Sequence, residues 1–165
     1  MTGIYLLLGT NIGNRNKNLE RARELLVANG ITIKKESHIY ETAAWGKEDQ
    51  EPFLNQVIEV ETGKSPQRVL FIANMIEKEM GRERFEKWGS RLIDIDILYF
   101  SDIEFETEGL LIPHPEIQNR RFTLAPMAEI APEFVHPKLA KTQKQLLAEC
   151  LDPLAIEVYV LNEIA

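Results

Sequence analysis

Between Gly81 and Phe100 lie side chains that packing alone does not explain. Arg82, Arg84, Lys87 and Arg91 precede Asp94-Ile95-Asp96, which sits in a run of leucine, isoleucine and aromatic residues. On a strand, side chains alternate between faces, so Asp94 and Asp96 share one face while Ile93, Ile95 and Ile97 share the other. The two carboxylates then stand about 6.6 Å apart, two strand rises. At an effective dielectric of about 20 they repel by roughly 2.5 kcal/mol. A divalent cation between them turns that repulsion into attraction, and hard oxygen ligands suit magnesium, commonly held by one or two carboxylates plus phosphate oxygens. The guanidinium groups just upstream match phosphate oxygens with a planar fork of donors. Each feature alone has a plainer reading, the wet face of a sheet or a solvated loop. Adjacent and opposite in charge, they point to a magnesium and polyphosphate site.

The elements that must position these residues follow from periodicity and turn chemistry. The apolar run Gly3 to Leu8 reads as a buried strand, and Gly9 to Asn14 as a sharp strand-to-helix turn. That turn matches neither GxxxxGK[ST] nor GxGxxG, so no phosphate is placed on it. Leu19, Ala22, Leu25, Leu26 and Ala28 recur at helical spacing up to Gly30. Ile31 to Glu41 alternates as a strand, in which His38 is read as packed or exposed rather than catalytic. Residues 42–52 read as a loop, and Phe53 to Thr62 as another strand. Ser65-Pro66 opens a second helix whose apolar stripe includes Val69, Ile72, Ile76 and Met80, with Gly81 at its end. After the acidic strand come a hairpin, Ile103 to Phe105 against Leu110 to Ile112, and the rigid turn Pro113-His114-Pro115. Helices are expected over Leu124–Ile130 and about Thr142–Cys150, then a last apolar run, Ile156 to Leu161. The order strand, helix, strand, strand, helix, strand predicts an α+β sandwich of ferredoxin-like type: a mainly antiparallel sheet, helices on its faces, and C-terminal additions.

A length of 165 residues fits a single domain spanning the chain, large enough to bury a core. No apolar run is long enough to cross a membrane and no leader pattern is present, so a cytoplasmic location is expected. The one cysteine, Cys150, offers no internal disulfide and no zinc cluster. A net charge of -7 argues against a nucleic-acid surface. The two basic clusters, residues 82–91 and Arg120-Arg121, fit a small anion better than a polymer.

Lys87-Trp88-Gly89-Ser90-Arg91-Leu92-Ile93-Asp94-Ile95-Asp96-Ile97-Leu98 resembles the signature of the 6-hydroxymethyl-7,8-dihydropterin pyrophosphokinases, the folate-pathway family that moves diphosphate from ATP to a pterin alcohol. The resemblance runs from the LLLGTNIG segment to about Pro132. It implies AMP release after attack on the β-phosphorus of ATP; residue chemistry by itself equally allows transfer of the γ-phosphoryl group. It also implies two Mg2+ ions on Asp94 and Asp96, with Arg82 and Arg91 assisting catalysis at the phosphates and Arg84 and Trp88 in the same loop. On the nucleotide side it places Asn74, Glu77, Ile97, His114 and Arg120, and it leaves Arg121 as surface. Around the pterin it places Thr42 and Ala43, through their backbone groups, with Trp45, Phe53, Asn55 and Phe122. Ala43, Trp45 and Phe53 stand where the family often has proline, leucine and tyrosine, and Pro115 where an aromatic is common, which bears on affinities. The expected partners are ATP and a reduced pterin alcohol, with no nucleic acid and no membrane, and the chain is expected to be a monomer. A competing reading from another class is a non-catalytic nucleotide- or RNA-binding module on the same fold. An RNA binder would need a basic face and exposed aromatics on central strands.

Overall fold

The computed structural model describes residues 2–43, 51–81 and 92–161. The sheet is antiparallel throughout. Its strands are β1 (Ile4–Thr10), β2 (Thr32–Glu36), β3 (Tyr40–Thr42), β4 (Phe53–Glu61), β5 (Asp94–Phe100) and β8 (Ile156–Val158). They lie in the order β5-β1-β4-β3-β8, with β2 also paired to β4. Helices α1 (Arg15–Ala28) and α2 (Pro66–Gly81) cover one face. There Ile4, Leu6 and Leu8 of β1 pack with Leu19, Leu26, Ile72 and Ile76. Helices α3 (Arg121–Ile130) and α4 (Gln143–Glu149) cover part of the other. On that side Tyr5 and Leu7 pack with Leu98, Leu124, Met127 and Leu146. Alternation along β1 therefore feeds two cores, the ferredoxin-like sandwich expected from the order of elements.

Four boundaries differ from expectation, each for a physical reason. Gly9 and Thr10 belong to β1, not to the turn, because the ladder continues: Gly9 pairs with Asn55 on one side and Asp94 on the other. The expected strand over 31–41 is two, β2 and β3. Between them the Ser37 hydroxyl replaces a backbone carbonyl, accepting from Val57 N (3.0 Å) and donating to His38 O (2.7 Å). The hairpin lies further along, β6 (Phe105–Thr107) against β7 (Leu110–Ile112). Its two-residue turn puts Gly109 at φ +90°, a backbone conformation that favours glycine. Helix α3 begins at Arg121 because Asp152 Oδ2 accepts from Arg121 N (3.1 Å), a carboxylate at the helix N-terminus.

Candidate active site

The register of the sheet builds the site. Asp94, Gly9 and Asn55 are lateral neighbours on β5, β1 and β4. Residues directly opposite one another share a face, so this row looks toward α3 and α4. Gly9, in the middle, leaves the row bare: a Cβ there would stand 2.8 Å from Asn55 Oδ1. Two inter-strand spacings, about 9.6 Å, separate the acid from the amide. Two residues along β4 from Asn55, and so on the same face, Phe53 pairs with Thr42 of β3.

This face opens into a cavity of about 990 Å3 lined by Thr42, Ala43, Phe53, Asn55 and Phe122, and also by Asp94, Asp96 and Arg120. All the expected pterin residues within the described part of the chain thus surround one space with the acidic pair. Phe122 reaches it from the first turn of α3, and the Arg120 guanidinium lies over its ring, 5.6 Å from the centroid. Thr42 is buried, and its hydroxyl oxygen has no hydrogen-bond partner among the described residues.

Asp96 also borders a second, shallower cavity of about 670 Å3, shared with Leu70, Ile97, Leu110 and His114. Asp96 therefore stands at the boundary of two spaces. His114 N donates to Leu98 O (2.9 Å), and its Nδ1 accepts from Glu116 N (3.1 Å). In the neutral ring the proton is then on Nε2, which remains a donor. Burial holds the His114 pKa below its ordinary value; Arg120 adds to the lowering, while Asp96 and Glu116 oppose it. On α2, Glu77 Oε2 accepts from Ile95 N (2.9 Å), fastening the edge of β5 between the two aspartates. Asn74 is exposed on the same helix, and Ile97 is buried.

Asp94 and Asp96 are each half-buried, as the alternation required. Their oxygens fit a hard cation. Among the described residues no group of three or more His, Cys, Asp or Glu side chains gathers to hold a metal. A pair of carboxylates that leaves room for water and phosphate oxygens suits magnesium better than an all-protein cage would.

Other expected residues, Arg82, Arg84, Trp88, Arg91 and Trp45, lie outside the described residues. Sequence reasoning left out the C-terminal side of the cavity, where Lys141, Glu149, Asp152 and Leu154 take part. It also left Arg121 on the surface. The structure corrects this: Arg121 is half-buried and its guanidinium donates to Cys150 O and Asp152 O. The only signal in the sequence was the charge pair Arg121/Asp152, whose partners are 31 positions apart.

The family model for 7,8-dihydro-6-hydroxymethylpterin-pyrophosphokinase (HPPK) matches residues 5–132. The chain belongs to this family. It is 46% identical over 127 residues to the 2-amino-4-hydroxy-6-hydroxymethyldihydropteridine pyrophosphokinase of Bacillus subtilis, covering 76% of each chain. Against the enzyme of that name from Aquifex aeolicus it is 41% identical over 149 residues, 90% of this chain and 92% of the relative. Against that of Methylorubrum extorquens it is 40% identical over 158 residues, 95% and 98% of the two chains. Among solved structures, the wild-type HPPK-DHPS of Plasmodium falciparum superposes with a TM-score of 0.68 at 18% identity, over 90% of this chain. The match spans 43% of that longer chain and, at such identity, speaks for the HPPK fold alone. Among the described residues no helix is long and apolar enough to cross a membrane.

Proposed function

We propose that this HPPK-family protein transfers diphosphate from ATP to the hydroxymethyl group of 6-hydroxymethyl-7,8-dihydropterin and releases AMP, acting as a single-domain, cytoplasmic monomer. The observation that carries the reading is the row Asp94–Gly9–Asn55 at the floor of one cavity. An amide that can pair with a ring edge and an acid that can attend a reacting hydroxyl are separated by about 9.6 Å, two strand spacings. That span suits a fused bicyclic ring with a one-carbon arm, and the bare Gly9 lets the ring lie flat against the sheet.

In this reading Asn55 pairs with the ring edge, Thr42 and Ala43 support it through their backbone groups, and Phe53 and Phe122 hold its faces. Trp45 joins them from the adjoining segment. ATP occupies the second cavity, so its phosphates meet the acceptor hydroxyl at Asp96, the residue both spaces share. His114 donates from Nε2 to a phosphate oxygen, and Arg120 adds positive charge above the junction. Arg82, Arg84, Trp88 and Arg91 follow α2 in the chain and serve the same phosphates, while Asn74, Glu77 and Ile97 belong to the nucleotide side. Asp94 and Asp96 would hold magnesium, two ions by resemblance to the family. When bound, magnesium neutralises phosphate charge and makes the acceptor hydroxyl easier to ionise. The protein's own part is to position the reactants and exclude water, which suffices for phosphoryl-type transfer.

The test is incubation with ATP, magnesium and the reduced pterin alcohol, with nucleotide products separated. AMP formed in step with the pterin diphosphate is the expected result. ADP as the product would move the transfer to the γ-phosphorus, and no consumption of ATP would remove the catalytic reading.

A further inference from the structure

The outer wall of the cavity comes from chain beyond the family match. That match stops at residue 132, whereas Leu146, Leu151, Asp152, Pro153 and Leu154 all line the space. Two sets of bonds hold this segment in place. Arg121 donates from Nε and Nη2 to Asp152 O (3.3 and 3.1 Å) and from Nη2 to Cys150 O (3.1 Å), while Asp152 Oδ2 accepts from Arg121 N. The other carboxylate oxygen, Oδ1, accepts from Leu154 N (2.9 Å), so one aspartate shapes the turn on its own side as well. Immediately after, β8 joins the sheet, with Ile156 opposite Thr42.

Leu154 lies two residues before Ile156, the residue that pairs with Thr42 at the end of β3. Leu154 is half-buried at a cavity wall where Thr42 and Ala43 form the neighbouring side. The brace therefore fixes an apolar side chain beside the residues that receive the acceptor. Through Arg121 it also fixes the chain neighbours Arg120 and Phe122.

We propose that the segment 151–154 is part of the acceptor site, with Leu154 a specificity-determining residue that packs against the pterin ring and Arg121 and Asp152 as its positioning residues. The inference rests on the acceptor reading given under the proposed function. An apolar wall there selects a flat, uncharged heterocycle and disfavours ring substituents that are charged or bulky on that side.

The experiment is steady-state kinetics with both substrates varied, on the full chain. Leu154→Ala should raise the KM for the pterin alcohol about tenfold, with the KM for ATP and kcat within twofold of wild type. Leu154→Met should restore most of the affinity, because volume and apolarity return. Arg121→Met keeps the stem, loses the donors and should raise the same KM, with Arg121→Lys recovering part of it. Should a leucine replacement prove insoluble, Leu154→Gln carries the same expectation. Unchanged acceptor KM in these variants overturns the inference and leaves the proposed reaction standing, and so does a parallel loss in ATP KM and kcat. A wild-type protein that makes no AMP overturns both.

Discussion

Gly9 and Asn55 are register partners on β1 and β4, and Asn55 Oδ1 lies only 2.8 Å from where a Gly9 Cβ would be. The close approach involves the free end of a side chain rather than backbone. Gly9→Ala should therefore leave the fold intact and displace the amide from the cavity floor. The expected result is a rise of about tenfold in the acceptor KM, the loss of one hydrogen bond of ordinary worth, with ATP binding unaffected. Kinetics with each substrate varied in turn checks it, and equal effects on both substrates would count against the placement of the ring over Gly9.

Asp96 borders both cavities, and in the proposed reaction its charge serves both reactants. Asp96→Asn keeps the shape and removes the charge. Turnover should fall at least a hundredfold, about 2.7 kcal/mol of barrier. In a metal-free buffer the variant should unfold at the same or a higher temperature than wild type, because a like charge beside Asp94 has gone. The upward shift that magnesium and a non-hydrolysable ATP analogue give to wild type should shrink. Turnover kinetics reads the first quantity and calorimetry with and without magnesium the other two, and a variant with full activity would remove the metal assignment.

How far the chain could be read without a structure depended on the range of the interactions. Asp94 and Asp96 were legible because a period of two on a strand is local, and Ile95 between them is 3% exposed, as alternation demands. The two helices on the first face were legible from their stripes and stops. Gly9 was read as a turn because glycine beside threonine and asparagine looks like one locally. Its strand partners lie 46 and 85 residues away. The break at Ser37 depends on one hydroxyl standing in for a carbonyl, which leaves no trace in hydropathy. The start of α3 and the C-terminal wall both depend on Asp152, remote in sequence from Arg121. The residues expected around the pterin are the instructive case. Phe53, Asn55 and Phe122 carry no chemistry of their own, and only the resemblance to a family singled them out before the structure placed them around one cavity.

Arg15 ties together the two ends of the segment that leads from β3 to β4. Its guanidinium donates to Glu41 Oε2 and to Pro52 O, both at 2.8 Å, and lies 5.5 Å from the Tyr159 ring centroid. Glu41 precedes Thr42 and Pro52 precedes Phe53, so these bonds set the spacing of two cavity-wall residues. Arg15→Met should cost roughly 1–3 kcal/mol of stability through the stranded acceptors. It should also weaken acceptor binding more than ATP binding. Denaturant unfolding and isothermal titration with each substrate give the two numbers, and a variant that loses stability but binds both substrates normally would limit Arg15 to a structural role.

Acid should destabilise the protein through histidines that fold in their neutral form. His136 is 3% exposed, and its Nδ1 accepts from Lys138 N and Leu139 N, each at 3.1 Å. Burial, and next the neighbouring Lys138, hold its pKa below the usual value; Glu104 and a backbone bond oppose them weakly. Protonation would place a hydrogen on Nδ1 and break both bonds to the turn. Because the folded pKa lies below the unfolded one, the unfolded chain binds more protons as pH drops, so stability rises with pH. The contribution is complete above about pH 6.5, the unfolded value, and is lost progressively below it. His114 shifts in the same direction. His136→Asn supplies an acceptor oxygen near the position of Nδ1 and does not titrate. Denaturant unfolding at pH 7.5 and pH 5 should therefore show a smaller drop for the variant than for wild type. An identical drop in the two proteins would mean that His136 is protonated without cost in the folded state.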